Sequence, residues 1–436
     1  MAESSDFVIR QLDHHDTTVH LFYLKSICDD LKIQRDLVLP LYQADRAESY
    51  ENYVRSLINQ KTSSSPGQLL ERVIKGEAIV CIEDTFIANV PMKKPLNSSP
   101  GPAEVEVSVV GPKHAFSEEL DTNMNVIRSR YTESSLTVER ANLESHPKTE
   151  IAIFYDRELV DPEVLEGIKK DLKRISDHIV IQAAGQLQRK MSPARRTLFP
   201  TVMITERPDR VVLNLSQGKV AILVQGTPFG IVAPAVFYDF MTAMDDVYSH
   251  YWTSRFLLVL RYIGLFFNLT MASFYVGLTS YNPEFLRVQL ALSIAGSRAP
   301  VPYPSFIEVL FMLLMMELLT EASIRLPRTI GSTATTVGGL ILGTAATQAG
   351  LVSNIMIIIV ACVAISNFVL PINEMMFSMR VMKYVFLGIT TIFGIMGLVI
   401  AFIGLIVHLT RKQNYGRAYL RFFAENGKVV PRKEAG

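Results

Sequence analysis

Apolar and polar positions divide this chain into two unequal parts. Between residues 253 and 408 only 13 side chains are charged, and two runs, 331–373 and 384–410, carry none. A bilayer core is about 30 Å thick and takes roughly 20 apolar residues per helical span. The pattern therefore predicts an all-α polytopic membrane bundle over residues 251–410, with spans near 256–279, 306–319, 333–350, 353–370 and 384–409. Tyr248, Tyr251 and Trp252 stand where an interfacial aromatic belt belongs, ahead of the first span. Residues 285–295 are apolar but short, and Pro300, Pro302 and Pro304 follow them. If that stretch re-enters, five crossings leave the basic tail, 411–436, outside. If it crosses, six return the tail to the cytosol, and the loop lysines and arginines favour six.

The polar part reads as an α/β cytosolic region of two small modules. Residues 1–18 read as a flexible tail. Helical spacing of Leu21, Leu24, Ile27, Cys28 and Leu31 opens a first module, 19–90, which is mostly helical, with a break at 63–67 and a β segment at 78–90. Residues 91–102 hold four prolines and read as a linker. A second module spans 103–250. Alternation in Glu104-Val105-Glu106-Val107-Ser108-Val109 predicts a half-buried strand, and 150–155 predicts another. Helices are expected over 114–130 and over 162–175, the latter with Asp161 as N-cap and Pro162 in its first turn. Short β runs are expected at 178–181, 201–204, 211–213 and 220–224.

Charge and motifs narrow the chemistry. Lys and Arg number 43 against 42 Asp and Glu, so nothing electrostatic points to nucleic acid. The three cysteines, Cys28, Cys81 and Cys362, are too scattered for a disulfide framework or metal spacing, which fits a reducing compartment. The start, Met1 to Phe7, is polar and acidic, so no cleaved signal peptide is expected. Phosphate-loop, nucleophile-elbow and zinc-helix motifs are missing, so the expectation is a protein that is not an enzyme and takes no cofactor or metal. Two polar clusters, Asp13 to Asp16 and Asp245, Asp246 with His250, are better read as a solvated tail and the polar approach to a span.

Within the apolar part, Glu317, Glu321, Arg325 and Arg328 recur at four, four and three residues and would line one face of a continuous helix. That stripe is either a pore or ion path or a set of intrahelical ion pairs, Glu321 with Arg325 above all. Glu308 lies on the opposite face and is expected to meet another helix or subunit. Gly339, Gly343 and Gly350 form a small-residue stripe among five threonines, suited to close helix packing or to a hydrated path.

Several strings taken in order resemble one family. Thr205-Glu206-Arg207-Pro208-Asp209 precedes Gly218-Lys219-Val220 and Gly226-Thr227-Pro228-Phe229; downstream come Ser297-Arg298 with Pro302 and Pro304, then Arg325-Leu326-Pro327 and Gly331. From about residue 76 to 409 the chain resembles the GerA family, the A subunits of spore germinant receptors. It departs from the family pattern at Thr320 and Ser323, at Gln225, and at Val247. The resemblance implies a nutrient-receptor subunit in the inner membrane of the spore, beside a transporter-like B subunit and a lipoprotein C subunit. It further implies a homo-oligomer in the lipid bilayer that couples nutrient sensing to ion release as a ligand-gated channel. A secondary transporter and an accessory scaffold for other germination proteins are the rival readings. The residues themselves leave Arg207 and Asp209 open, as a pair within a turn or a contact to a neighbouring subunit.

Overall fold

The computed structural model describes residues 4–15, 17–44, 46–57, 66–83, 86–94, 101–145, 148–175, 180–191, 197–326 and 328–421. The chain starts with a hairpin, β1 (Phe7–His14) and β2 (Thr17–Leu24), which joins β3 (Glu77–Ile82) and β4 (Phe86–Pro91) in an antiparallel sheet in chain order. Helices α1 (Asp30–Ile33), α2 (Leu39–Gln43), α3 (Ala47–Ser56) and α4 (Pro66–Ile74) lie between β2 and β3. Period-two alternation sends Val19, Leu21, Tyr23, Val80 and Ile82 into a core closed by Ile33, Leu41, Tyr50 and Val54. The opposite sheet face, with Phe22 and Ile79, packs on Leu69 and Val73 of α4.

Two expectations are corrected here. Residues 1–18 are not a flexible tail over their described part. Their polar residues alternate along an edge strand, and Asp6 is buried against Arg128 with contacts of 2.8 and 2.9 Å. The helical spacing from Leu21 onward straddles the end of β2, so a period-two strand followed by a turn imitates three- and four-residue repeats. Asp16, residues 63–65 of the break and 95–100 of the linker lie outside the described residues.

In the second module, β5 (Leu136–Leu143), β6 (Thr149–Asp156), β7 (Met203–Thr205), β8 (Val220–Val224) and β9 (Gly230–Ala233) form an antiparallel sheet in the order β5-β6-β8-β9-β7. One face, with Ala152, Phe154, Ala221 and Leu223, packs on α5 (Leu120–Arg130) and α8 (Pro208–Leu215). The other, with Ile151, Ile153, Ile222 and Val224, packs on α6 (Pro162–Lys173) and α7 (Ala184–Met191). Asp161 caps α6 as expected, accepting from the Glu163 N–H at 3.0 Å. Residues 211–213 are helical rather than extended. Pro208 presets the first turn of α8, and burial of Val211 and Leu215 outweighs the β preference of two adjacent valines. Residues 104–109 form a loop, not a strand. Of the run expected at 178–181, residues 178 and 179 lie outside the described residues.

Short helices α9 (Phe237–Met241) and α10 (Met244–Tyr248) lead into α11 (Tyr251–Ser280), followed by α12 (Val288–Arg298), α13 (Ser305–Arg325), α14 (Arg328–Gln348), α15 (Asn354–Asn367) and α16 (Asn373–Arg411). Among the described residues two helices, α11 and α16, are long and apolar enough to cross a membrane. A straight helix of the 39 residues of α16 would be about 58 Å long. Instead it folds back at Gly394, whose φ of 64° and ψ of −151° interrupt the helix. Near one end the Ser378 hydroxyl donates to the Leu198 carbonyl at 2.6 Å; past the other, the Lys412 ammonium donates to the Phe199 carbonyl at 2.7 Å. At the tip the Tyr281 hydroxyl, just past α11, donates to the Thr391 carbonyl.

The remaining helices fit between these marks. Ser280 touches Ser305, so α12 begins and ends at the tip end and does not pass through the bundle. The Ser353 N–H donates to Glu308 in the first turn of α13 at 2.7 Å, which returns the chain to the tip end after α13 and α14. α15 descends to Asn268 in the middle of α11, and residues 368–372 complete the pass. Thus α11, α13, α14, α15 and the two arms of α16 make six passes. The expected single span at 384–409 is replaced by a hairpin, so the chain returns to the α/β region although residues 285–295 do not pass through the bundle.

The start of the basic tail is a built part of that region. β10 (Gln413–Asn414) and β11 (Arg417–Ala418) form a hairpin, and Tyr419 is buried with its carbonyl accepting from the Phe237 N–H at 2.9 Å. Residues 422–436 lie outside the described residues.

Candidate functional site: the collar joining the α/β region to the helices

The family-like strings converge where the second module meets the bundle. Loop 101–115 is closed at its base by the Ala103 N–H donating to Lys113 at 2.7 Å and the Ala115 N–H donating to Gly101 at 2.8 Å. Glu206 accepts from the Val105 and Glu106 N–H groups at 2.5 and 2.7 Å. Asp245 accepts from the Ser108 hydroxyl and from the Val109 N–H at 3.1 Å. Arg207, extended at the N-cap of α8, forks onto Asp209 at 3.1 and 2.6 Å and donates to the Glu106 carbonyl at 3.0 Å. Asp209 also accepts from the Tyr248 hydroxyl at 2.7 Å, and Arg210 pairs with Glu106 at 2.8 Å. Arg207 and Asp209 thus pair within the turn.

Burial pushes the Asp209 carboxyl up, but hydrogen bonds from Arg207 and Tyr248 outweigh it and hold the group below its ordinary value. The same balance, with Ser108 and backbone N–H groups as donors, keeps Asp245 low. Two links carry the collar into the helices. Asp246 accepts from Arg261 of α11 at 3.0 Å, and Glu374 of α16 accepts from the Ile204 N–H at 3.2 Å. Asp245 and Asp246 thus serve different partners rather than converging on one point.

Gly226 occupies the turn between β8 and β9 with φ of 80°, and its N–H donates to Glu118 at 2.9 Å. Its neighbour Gln225 accepts from the Leu120 N–H at 2.8 Å, holding the start of α5. Thr227 is buried, and Phe229 packs with the core under α6 and α7.

The ionisable residues of the helices do not act as one stripe. Glu317 is largely buried between α13 and α16, 2.8 Å from Arg380 and 2.7 Å from Lys383. Glu321 pairs with Arg325 at 2.7 Å on the outside of α13, where the two side chains stay 56% and 76% exposed. Glu308 is buried and, besides Ser353, lies 3.3 Å from Arg298. The side chain of Arg328, like Pro327, lies outside the described residues.

Nor do the expected glycines form one close-packed stripe. A Cβ on Gly339 or Gly343 would find ordinary room, 3.6 and 3.9 Å from Leu319 and Ile357, whereas at Gly350, just past α14 with φ of 65°, it would lie 3.1 Å from the Pro300 carbonyl oxygen. Other close approaches fall at Gly264, where a Cβ would lie 3.1 Å from the Val369 side chain, and at Gly277, 2.9 Å from that of Ile395. The signal for both was a lone glycine inside an apolar run.

The family described as Bacillus/Clostridium GerA spore germination protein matches residues 1–430. The chain belongs to the GerA family. Spore germination protein KA of Bacillus subtilis (strain 168) is 33% identical to this GerA-family chain, over 96% of the chain and 79% of the relative. The uncharacterized membrane protein YfkQ of the same organism is 30% identical, over 95% of the chain and 82% of the relative. The crystal structure of the N-terminal domain of the A subunit of the Bacillus megaterium spore germinant receptor GerK3 is 26% identical, covering 54% of this chain and 91% of its own, with a TM-score of 0.39. Membership in the GerA family supports a role in spore germination.

Proposed function

We propose that this chain is the A-type subunit of a germinant receptor, a multi-pass protein of the inner spore membrane with its α/β region in the cytosol. It works beside a transporter-like B subunit and a lipoprotein C subunit. The six helical passes are membrane crossings, and several copies surround a water-accessible path that opens when nutrient is sensed. Nutrient binding acts by shifting a closed–open equilibrium, which requires the liganded partner to hold the open form more tightly.

The observation that carries the channel reading is the outward Glu321–Arg325 pair. A helical pair of this kind is worth about 0.3–0.5 kcal/mol, whereas a charged side chain facing lipid costs about 2.5–3.5 kcal/mol at a helix centre and less toward a helix end, where Glu321 and Arg325 stand. Such a pair is better accommodated facing water or another copy than facing lipid. Exposed Thr344 and Gln348 on α14 add polarity to the neighbouring surface. Glu317 and Glu308 hold helices together, while Glu321 and Arg325 face the path. The test is nutrient-triggered ion release from spores carrying Glu321→Ala, with membrane level and oligomer size measured alongside. A changed release rate at normal level and size is expected; unchanged release removes the path assignment.

A further inference from the structure

Loop 104–111, whose alternation imitates a strand, exposes Val105, Val107, Val109 and Val110 by 50%, 73%, 84% and 70%. β-branched apolar residues this exposed need a covering surface. The backbone beneath them is already committed, since the N–H groups of Val105, Glu106 and Val109 are taken by Glu206 and Asp245. The loop is thus poorly placed to add a strand to another chain and well placed to hold its valines outward. Gly111 fixes its position: a Cβ there would lie 2.5 Å from the Tyr248 ring. Three residues further on, Tyr251 and Trp252 begin α11, exposed by 64% and 81%. The valines therefore continue the aromatic surface at the root of that helix.

We propose that loop 104–111 is a lipid anchor, its valines inserted at the headgroup–acyl boundary of the leaflet where α11 begins. Arg207, Glu206 and Asp245 brace it. The second module is then held to the bilayer at two points, the root of α11 and this loop, so tilting it requires withdrawing the valines. The inference rests on the reading that α11 crosses the membrane.

The experiment uses the full chain in nanodiscs of phosphatidylcholine and phosphatidylglycerol, with its native cysteines replaced. A single environment-sensitive fluorophore is placed at Val109→Cys, at Val259→Cys on the exposed side of α11, or at Glu163→Cys on α6. Quenching by nitroxide on the lipid chains is compared with quenching by aqueous iodide. Position 109 is expected to follow 259, with at least twofold more nitroxide quenching and at least twofold less iodide quenching than 163. Iodide reaching 109 as freely as 163 overturns the anchor. Shielding of 109 from both quenchers also overturns it, because protein then covers the loop. Absence of nitroxide quenching at 259 overturns the membrane reading itself, so the two failures are distinct.

Discussion

Two substitutions in one ion cluster should have very different costs. Among the described residues Glu317 is the single carboxylate between Arg380 and Lys383, 2.8 and 2.7 Å away, and all three side chains are at most one-fifth exposed. Glu317→Gln leaves two buried cations facing an amide. Breaking a buried pair by removing one partner costs about 3–5 kcal/mol. Lys383→Met removes the surplus cation, keeps the one-to-one pair with Arg380 and preserves much of the side-chain volume, so it should shift stability by less than about 1 kcal/mol. The gap of about 2 kcal/mol or more is roughly a 30-fold difference in the unfolding equilibrium. Glu317→Gln combined with Lys383→Met should recover part of the loss, since one unpaired cation remains instead of two. Unfolding of the reconstituted bundle in mixed micelles, followed by tertiary fluorescence, measures all three. Equal costs for the single variants would refute the charge argument. A Glu317→Gln variant of wild-type stability with altered ion release would show instead that this carboxylate faces water.

Asp6→Asn should destabilise the chain by about 3–5 kcal/mol by leaving Arg128 buried without a charge partner. Burial raises the Asp6 carboxyl, but Arg128 and the Ser26 and Ser4 hydroxyls outweigh it and hold it below its ordinary value. Its contribution is therefore complete above the unfolded value near pH 3.9 and lost as pH falls through the lower folded value. Thermal unfolding against pH should show that acid loss in the wild type and not in Asp6→Asn. Gly394→Ala should cost about 1–3 kcal/mol, because φ of 64° disfavours a side chain and a Cβ would meet the Tyr281 ring at 2.9 Å; unchanged thermal unfolding would contradict the hairpin. Arg207→Glu sets a third carboxylate beside Asp209 and Glu106, so limited proteolysis should cut within residues 101–115 of the variant and leave them intact in the wild type.

The long apolar helices were legible in composition alone, since a run of 43 residues without a charge leaves few polar side chains to interrupt them, and α11 and α16 are long and apolar enough to cross a membrane. Local signals of capping and alternation also carried through, as at Asp161 and in Ile151 to Tyr155. The turn at Gly394 did not, because the apolar run continues through it and only a backbone angle separates a hairpin from a span. Glu317 gave no local sign of its partners, which lie more than sixty residues away on another helix. The loop at 104–109 misled for a related reason: alternation reports which side chains share a face, not whether a neighbouring strand or a lipid surface covers it. The family-like strings were read as turns, and their joint role in bracing the collar became visible once Glu206 was seen to hold the loop a hundred residues earlier.

Spores in which this chain is deleted would be exposed to a panel of amino acids and sugars, and early ion release followed for each. The account predicts that release is lost for at least one nutrient and restored by the intact chain but not by a variant unable to reach the membrane. Wild-type release across the panel, or full rescue by the α/β region alone, would contradict it.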